Sequence, residues 1–287
     1  MKILFIVSIS LITLVNLNGQ VEQQSLPGAE EISNRRTSFN LDEIKVRWKK
    51  AALENCTGVP CVVTPPAPSF TCGTSTVSDI DGNAYNTVLI GTQCWTKSNL
   101  KVTKYNDGTA ILLDASGGAD GFTGGQNWST QLSGAYTVYG NAPINATNYG
   151  YLYNWYAVSD LRKLCPTGWH VPTRNEWNAL ESQLGGLSAA GGKMKLISTL
   201  WVALFPPVVP GNNSSGFSGL PGGLRKEMSG LNHGAFDSGA DRGYFWSASS
   251  SSPGRAYARV LNASNLSLNE DSFSRFGEGQ SVRCLKD

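Results

Sequence analysis

An α+β domain with long irregular loops is the fold class the sequence predicts, and three observations carry that expectation. Runs rich in β-branched and aromatic residues stand at 77–95 and again at 243–287, as short strands require. Two helix-forming stretches, 148–160 and 174–184, lie between them. Glycine supplies 32 of the 287 residues and, with Ser, Asn and Thr, fills long parts of the second half, a composition suited to turns and loops.

The chain opens MKILFIVSISLITLVNLNG. A positive charge at Lys2, an apolar run from Ile3 to Val15 and a small residue at Gly19 describe a secretory signal over 1–19, because the run is too short to span a bilayer. No other segment is long and apolar enough to cross a membrane, so the expected mature chain starts near Gln20 and works outside the cytoplasm. Residues 20–37 are polar and aperiodic, and read as disordered. Leu41, Ile44, Trp48 and Ala51 or Ala52 then recur at helical spacing behind an N-cap at Asn40, with Glu43 in the third helical place. They predict an amphipathic helix over about 41–54, which either docks a partner or membrane surface or packs on its own chain. GVPCVVTPPAPSFT, 58–71, is a proline-rich, extended linker, and the main domain is expected at 72–287.

A net charge of +2 with 15 per cent charged residues gives no basic field for nucleic acid. The six cysteines, at 56, 61, 72, 94, 165 and 284, all follow the signal. An even count in an exported chain favours disulfides, of which six cysteines allow about 15 pairings. Zinc finds no CxxC and no histidine at ligand spacing, since His170 and His233 stand apart from any cysteine pair.

VSDIDGNAYNTVLIGTQCW predicts a hairpin turning at Asp81, Gly82 and Asn83. The same letters resemble a calcium loop, but Gly82 stands three residues after Asp79 where an EF-hand needs five, so a structural calcium ion has no motif to hold it. ASGGADGFTGGQNW carries no phosphate-binding glycine pattern. In NYGYLYNWYAVSD, Leu152, Trp155 and Tyr156 fall on one side of a predicted helix over 148–160. From 198 to 243 the chain reads as long loops pinned by Phe217, Leu220, Phe236 and, just beyond, Tyr244. GYFWSAS, AYARVLN and SVRCLKD read as short strands.

LCPTGWHVPTRNEWNAL, 164–180, sets a cysteine, a histidine and a glutamate close together. Thr173 and Glu176 have capping-box spacing, Pro172 and Trp177 that of a hydrophobic staple, and Gly185 with Gly186 supplies the stop of a helix over about 174–184. A catalytic reading pairs Cys165 with His170, or His170 with Glu176. Local structure accounts for the same letters, and a bonded sulfur suits an exported chain better than a thiolate.

With these residues in place, the chain resembles the Fibrobacter succinogenes major paralogous domain family over about 72–287. The resemblance is carried by VSDIDGNAYNTVLIGTQCWTKSNLKVTKYNDGT, YGYLYNWYAV, LCPTGWHVPTRNEWNAL, AGGKMK, SGFSGLPGGLR, YFWSAS and SVRCLKD, in that order. SFNLDEIKVRWKKAALENC looks like a leader found before such domains in exported bacterial proteins. That family is similar in turn to the C-type lectin-like and formylglycine-generating sulfatase-modifying-factor folds. The resemblance implies a twisted antiparallel sheet flanked by two helices, with Cys165 bonded to Cys284, Cys72 to Cys94 and Cys56 to Cys61. Motifs for chemistry are missing: calcium-lectin EPN, QPD and WND, a paired C-terminal cysteine, and HxxxHxE do not occur, and GFSGL around Ser218 departs from GxSxG.

The expected function is therefore a secreted, non-catalytic binding or adhesion module at a bacterial surface, with an extracellular polysaccharide or a cell-surface protein as partner and no cofactor. Trp128, Tyr139, Tyr244 and Trp246 are the candidate sugar-stacking residues, each with a place in the core as its alternative. A structural component of a surface assembly, docked by the 41–54 helix, and a modifying-factor-like oxidoreductase are the rival classes.

Overall fold

The computed structural model describes residues 12–15, 21–24, 69–117, 126–204, 207–227 and 234–287. The chain divides into two compact units, Met1–Phe70 and Thr71–Asp287. In the first, β1 (Ile12–Val15) pairs antiparallel with β2 (Val21–Gln24), placing Val15 opposite Val21. Residues 21–24 are thus strand where aperiodicity predicts disorder, because a neighbouring strand supplies the backbone partners that a polar run cannot find alone. The 41–54 helix, most of the linker, Cys56 and Cys61 lie outside the described residues.

The second unit is α+β. Its largest sheet joins β3 (Thr76–Ser78), β4 (Ala84–Ile90), β5 (Gln93–Thr96), β9 (Trp169–His170) and β15 (Leu285–Lys286) in the order β3-β4-β5-β15-β9. The expected turn between β3 and β4 forms: Asp79 Oδ1 accepts the N–H groups of Asp81 (3.0 Å) and Asn83 (2.9 Å), and Gly82 takes φ +83°. The carboxylate that suggested a calcium loop is spent on its own turn. The C-terminal β15 enters between β5 and β9, with Leu285 opposite both Trp95 and His170. Disulfides join Cys165 to Cys284 and Cys72 to Cys94. The first closes a span of 119 residues, a constraint worth about 5 kcal/mol in a chain-entropy account.

The middle of the chain builds a small sheet from β6 (Leu112–Leu113), β7 (Ala135–Thr137) and β8 (Leu152–Tyr153), β6 and β7 running parallel. Around it lie α1 (Gln126–Ser129), a 3-10 turn at Tyr139–Asn141, α2 (Pro143–Tyr149) and α3 (Trp155–Val158). The single helix expected over 148–160 is therefore broken. Gly150 ends α2 at φ +74°, where an added Cβ would stand 2.9 Å from the Leu100 carbonyl. Leu152 and Tyr153 then pair with Thr137 and Tyr136, and Asn154 caps the short α3 by accepting the Ala157 N–H (3.0 Å). Aromatic spacing imitated a helix across a backbone that a left-handed glycine interrupts.

The third sheet is a meander of β12 (Arg242–Ser252), β13 (Arg255–Asn262) and β14 (Leu268–Arg275). A two-stranded pair, β10 (Leu224–Arg225) and β11 (Phe236–Asp237), breaks the long loops of 198–243. Over the β12–β13–β14 meander lie α4 (Arg174–Gln183), which has the predicted reciprocal capping box, and α5 (Leu187–Met194). Glycine is a poor helix former, so α5, with two of them, was not anticipated. Both are needed by packing: a Cβ on Gly191 would stand 2.1 Å from the Ser267 oxygen, and one on Gly192 2.8 Å from a Leu266 methyl.

Trp95, Trp177, Phe217 and Phe245 pack between α4 and the sheets, with Trp95 and Trp177 centroids 4.8 Å apart. Arg283 lies fully buried against them. Its guanidinium donates to Asn99 Oδ1 (2.6 Å) and to the carbonyls of Thr96 (2.8 Å), Phe217 (2.7 Å) and Ser218 (2.9 Å), over the Phe217 ring at 4.4 Å. Lys195, also buried, donates to the carbonyls of Val209 (2.5 Å), Asn262 (3.0 Å) and Asn265 (2.7 Å). Gly191→Ala is expected to lower stability by about 3 kcal/mol through overpacking against Ser267, read as a shift of the urea midpoint; an unchanged midpoint would mean that the α5 contact is not close.

Candidate binding site

Two surface features bring together polar and aromatic groups of the kinds that small-molecule sites use. One is an open bowl of about 470 Å³, lined by residues 112–116 on one side and by Asn127, Thr130 and Gln131 on the other. Arg225, fully buried, holds its wall: Nη1 donates to the Asp114 carbonyl (2.8 Å) and to Thr137 Oγ1 (3.2 Å), and Nη2 to the Ser116 carbonyl (2.5 Å). The guanidinium also lies 4.6 Å from the centre of the Trp128 ring.

The other feature is an aromatic ledge. Trp155 and Phe276 stack at 4.2 Å with planes 13° apart, and Tyr156 meets Phe276 edge-on at 5.9 Å. All three rings are half-buried. The backbone fixes them, since Trp155 N–H donates to the Phe276 carbonyl (2.7 Å) and Trp155 Nε1 to that of Ser247 (3.0 Å). Carboxylates border the ledge: Glu227 Oε2 accepts the Gly277 N–H (3.1 Å), and Glu278 Oε2 accepts Gln280 Nε2 (3.1 Å). Burial first, then the charges of Asp271 and Glu227, push the Glu278 carboxyl up to about 7, although the Gln280 bond opposes the shift. Near neutrality this carboxyl is therefore able to accept or to donate.

The sequence-predicted aromatics sit elsewhere. Trp128 and Trp246 are fully enclosed, and Tyr244 is 7 per cent exposed. Tyr139 is half-buried, its hydroxyl accepting the Gly239 N–H (3.0 Å) and its ring filling the space beside Gly223 and Gly239. An enclosed ring offers no face to a sugar, so Trp128, Trp246 and Tyr244 belong to the core, a correction to their reading as stacking residues. Trp128 serves both features from behind: its helix lines the bowl, and its ring abuts Gly279, next to Glu278. Trp155, Tyr156, Phe276, Glu227 and Glu278 were missed; only an aromatic–carboxylate contact between distant segments marks them, and that contact is not a local pattern.

In the 164–180 stretch, Cys165 is bonded to Cys284. Thr173 Oγ1 accepts the Glu176 N–H (3.3 Å) and Glu176 Oε2 accepts the Thr173 N–H (2.7 Å). His170 does approach Glu176, with Nε2 3.0 Å from Oε1, and its Nδ1 lies 2.6 Å from Asp287 Oδ1. Despite its partial burial, the Thr173 and His170 contacts hold the Glu176 carboxyl below its ordinary range. Among the described residues, no group of three or more His, Cys, Asp or Glu is arranged to hold a metal ion, and no helix is long and apolar enough to cross a membrane.

A disulfide-tied α+β domain with an aromatic and carboxylate-bearing surface is the class these features define. The Fibrobacter succinogenes major domain matches residues 88–286, and the chain belongs to that family. No curated protein and no solved structure matches significantly.

Because Glu278 holds its proton in the folded state from its ordinary range, near 4.5, up to about 7, its burial costs stability that grows as pH rises through that window. Glu278→Gln is expected to raise the thermal midpoint above neutrality relative to the native chain. Below the ordinary carboxylate range the two midpoints should coincide, and a constant offset at every pH would refute the assignment.

Proposed function

We propose that the chain is an exported, non-catalytic binding module that lays a neutral glycan or surface polymer on the Trp155–Phe276–Tyr156 ledge. The half-open aromatic ledge bordered by carboxylates is the observation that carries this reading. Aromatic faces take the C–H faces of pyranose rings, while carboxylates accept their hydroxyl groups. Glu227 and Asp271 disfavour an acidic polymer by like charge. Export is supported by the signal-like start and by the two disulfides. The C-type lectin-like reading of the fold is supported by the antiparallel sheet whose last strand is disulfide-bonded to the approach to α4.

Pull-down of the mature chain on insoluble cellulose, xylan and chitin tests the reading. Retention is expected on at least one, with Trp155→Ala lowering affinity about tenfold or more, which corresponds to about 1.4 kcal/mol. Retention unaffected by that change, or none on any polymer, would overturn it.

A further inference from the structure

One end of the β12–β13–β14 meander sets two cations against each other. Arg255 and Arg275 stand directly opposite in the β13–β14 register, so their side chains leave the same face with Cβ atoms about 5 Å apart. Like charges so placed destabilise a sheet. Neither guanidinium has an ion-pair partner among the described residues. The two carboxylates of β14 are taken: Glu270 by Arg174 (2.8 and 3.0 Å) and Arg259, Asp271 by the Phe273 N–H (2.8 Å) and the Ser274 hydroxyl (3.0 Å). Phe273, two residues before Arg275 and on its face, is 72 per cent exposed, and the Arg255 guanidinium stands 5.8 Å from the centre of its ring. Ser274 and its partner Ala256 are buried on the other face, where Phe276 packs against the same core cluster as Ala256. The ledge therefore lies on the opposite side of the sheet. We infer that the Arg255–Arg275–Phe273 face binds a carboxylated polysaccharide, a polyuronate, with one sugar ring on Phe273 and its carboxylate bridging the two guanidinium groups.

The surroundings choose that ligand class. A guanidinium fork matches a planar carboxylate, and Arg255 spends only Nη1, on the Phe273 carbonyl (2.6 Å). An open aromatic ring takes the C–H face of a pyranose. The backbone beside it is already paired, since the Ser251 hydroxyl donates to the Ser272 carbonyl (2.6 Å), Asp271 Oδ1 accepts the Phe273 N–H and Arg255 holds the Phe273 carbonyl. An acidic peptide adding as a strand finds few backbone groups to pair with there. A lipid surface is met by a broad apolar face, whereas Phe273 is the one exposed large apolar side chain of β12, β13 and β14.

Affinity electrophoresis of the mature chain through gels holding polygalacturonate, alginate or fully methyl-esterified polygalacturonate tests the inference. Retardation is expected with at least one of the two free polyuronates, weakened by added salt and absent with the ester. Arg255→Gln and Arg275→Gln should each lower affinity about tenfold or more, with a thermal midpoint at or above the native one, because either removes the repulsion. Phe273→Ala carries the same expected loss of affinity. Trp155→Ala should leave this retardation unchanged, so that failure here and failure of the ledge are read separately. No retardation by either polyuronate, equal retardation by the ester, or retardation indifferent to both arginine variants would overturn the inference. So would displacement by polyglutamate or by phosphatidylglycerol vesicles as effective as displacement by galacturonate oligomers, which would mark a general polyanion surface.

Discussion

Arg283 is buried without a carboxylate among the described residues, and the arrangement of this domain follows from how that charge is accommodated. Burying a cation alone is prohibitively costly unless dipoles replace its water. Here the dipoles are carbonyl groups of Thr96, Asn99, Phe217 and Ser218, which belong to the end of β5 and to a loop more than a hundred residues later. Irregular loops leave carbonyls without ladder partners, and a buried guanidinium satisfies several at once. Burial holds the Arg283 pKa down to about 9, which still leaves it charged at neutrality.

The same device recurs. Lys195 gathers the 209 loop and the β13–β14 connection through three carbonyls, and Arg225 gathers the 114–116 segment and Gly234. Three buried cations thus do for the loops what a continuous sheet does elsewhere. The bowl inherits its shape from this arrangement, since Arg225 fixes its wall from inside while the solvent side stays open. The ledge is set differently, by backbone bonds at Trp155 and Phe276.

What was legible in the sequence was local. The Thr173–Glu176 box, the glycine stop after α4 and the Asp79–Asn83 turn depend on residues a few positions apart, and each formed. β14 was not legible because LNEDSFSR is mostly polar, with only Leu268 and Ser274 buried. Nor was α5, whose glycines are explained by Leu266 and Ser267, some seventy residues away. Site residues were the least legible. Which tryptophan faces solvent depends on what packs over it, and eight tryptophans in a loop-rich chain look alike until Phe276 meets Trp155 and Arg225 covers Trp128.

The bond between Cys165 and Cys284 encloses most of the loop-rich half of the domain. Exposed loops are where proteases cut first, and Leu204, 72 per cent exposed, lies in one of them. A scission there would leave two pieces held by a sulfur bridge, with the severed C-terminal part still paired through β15 to the N-terminal part. Damage in this region would be silent until a reductant and a denaturant together released the halves.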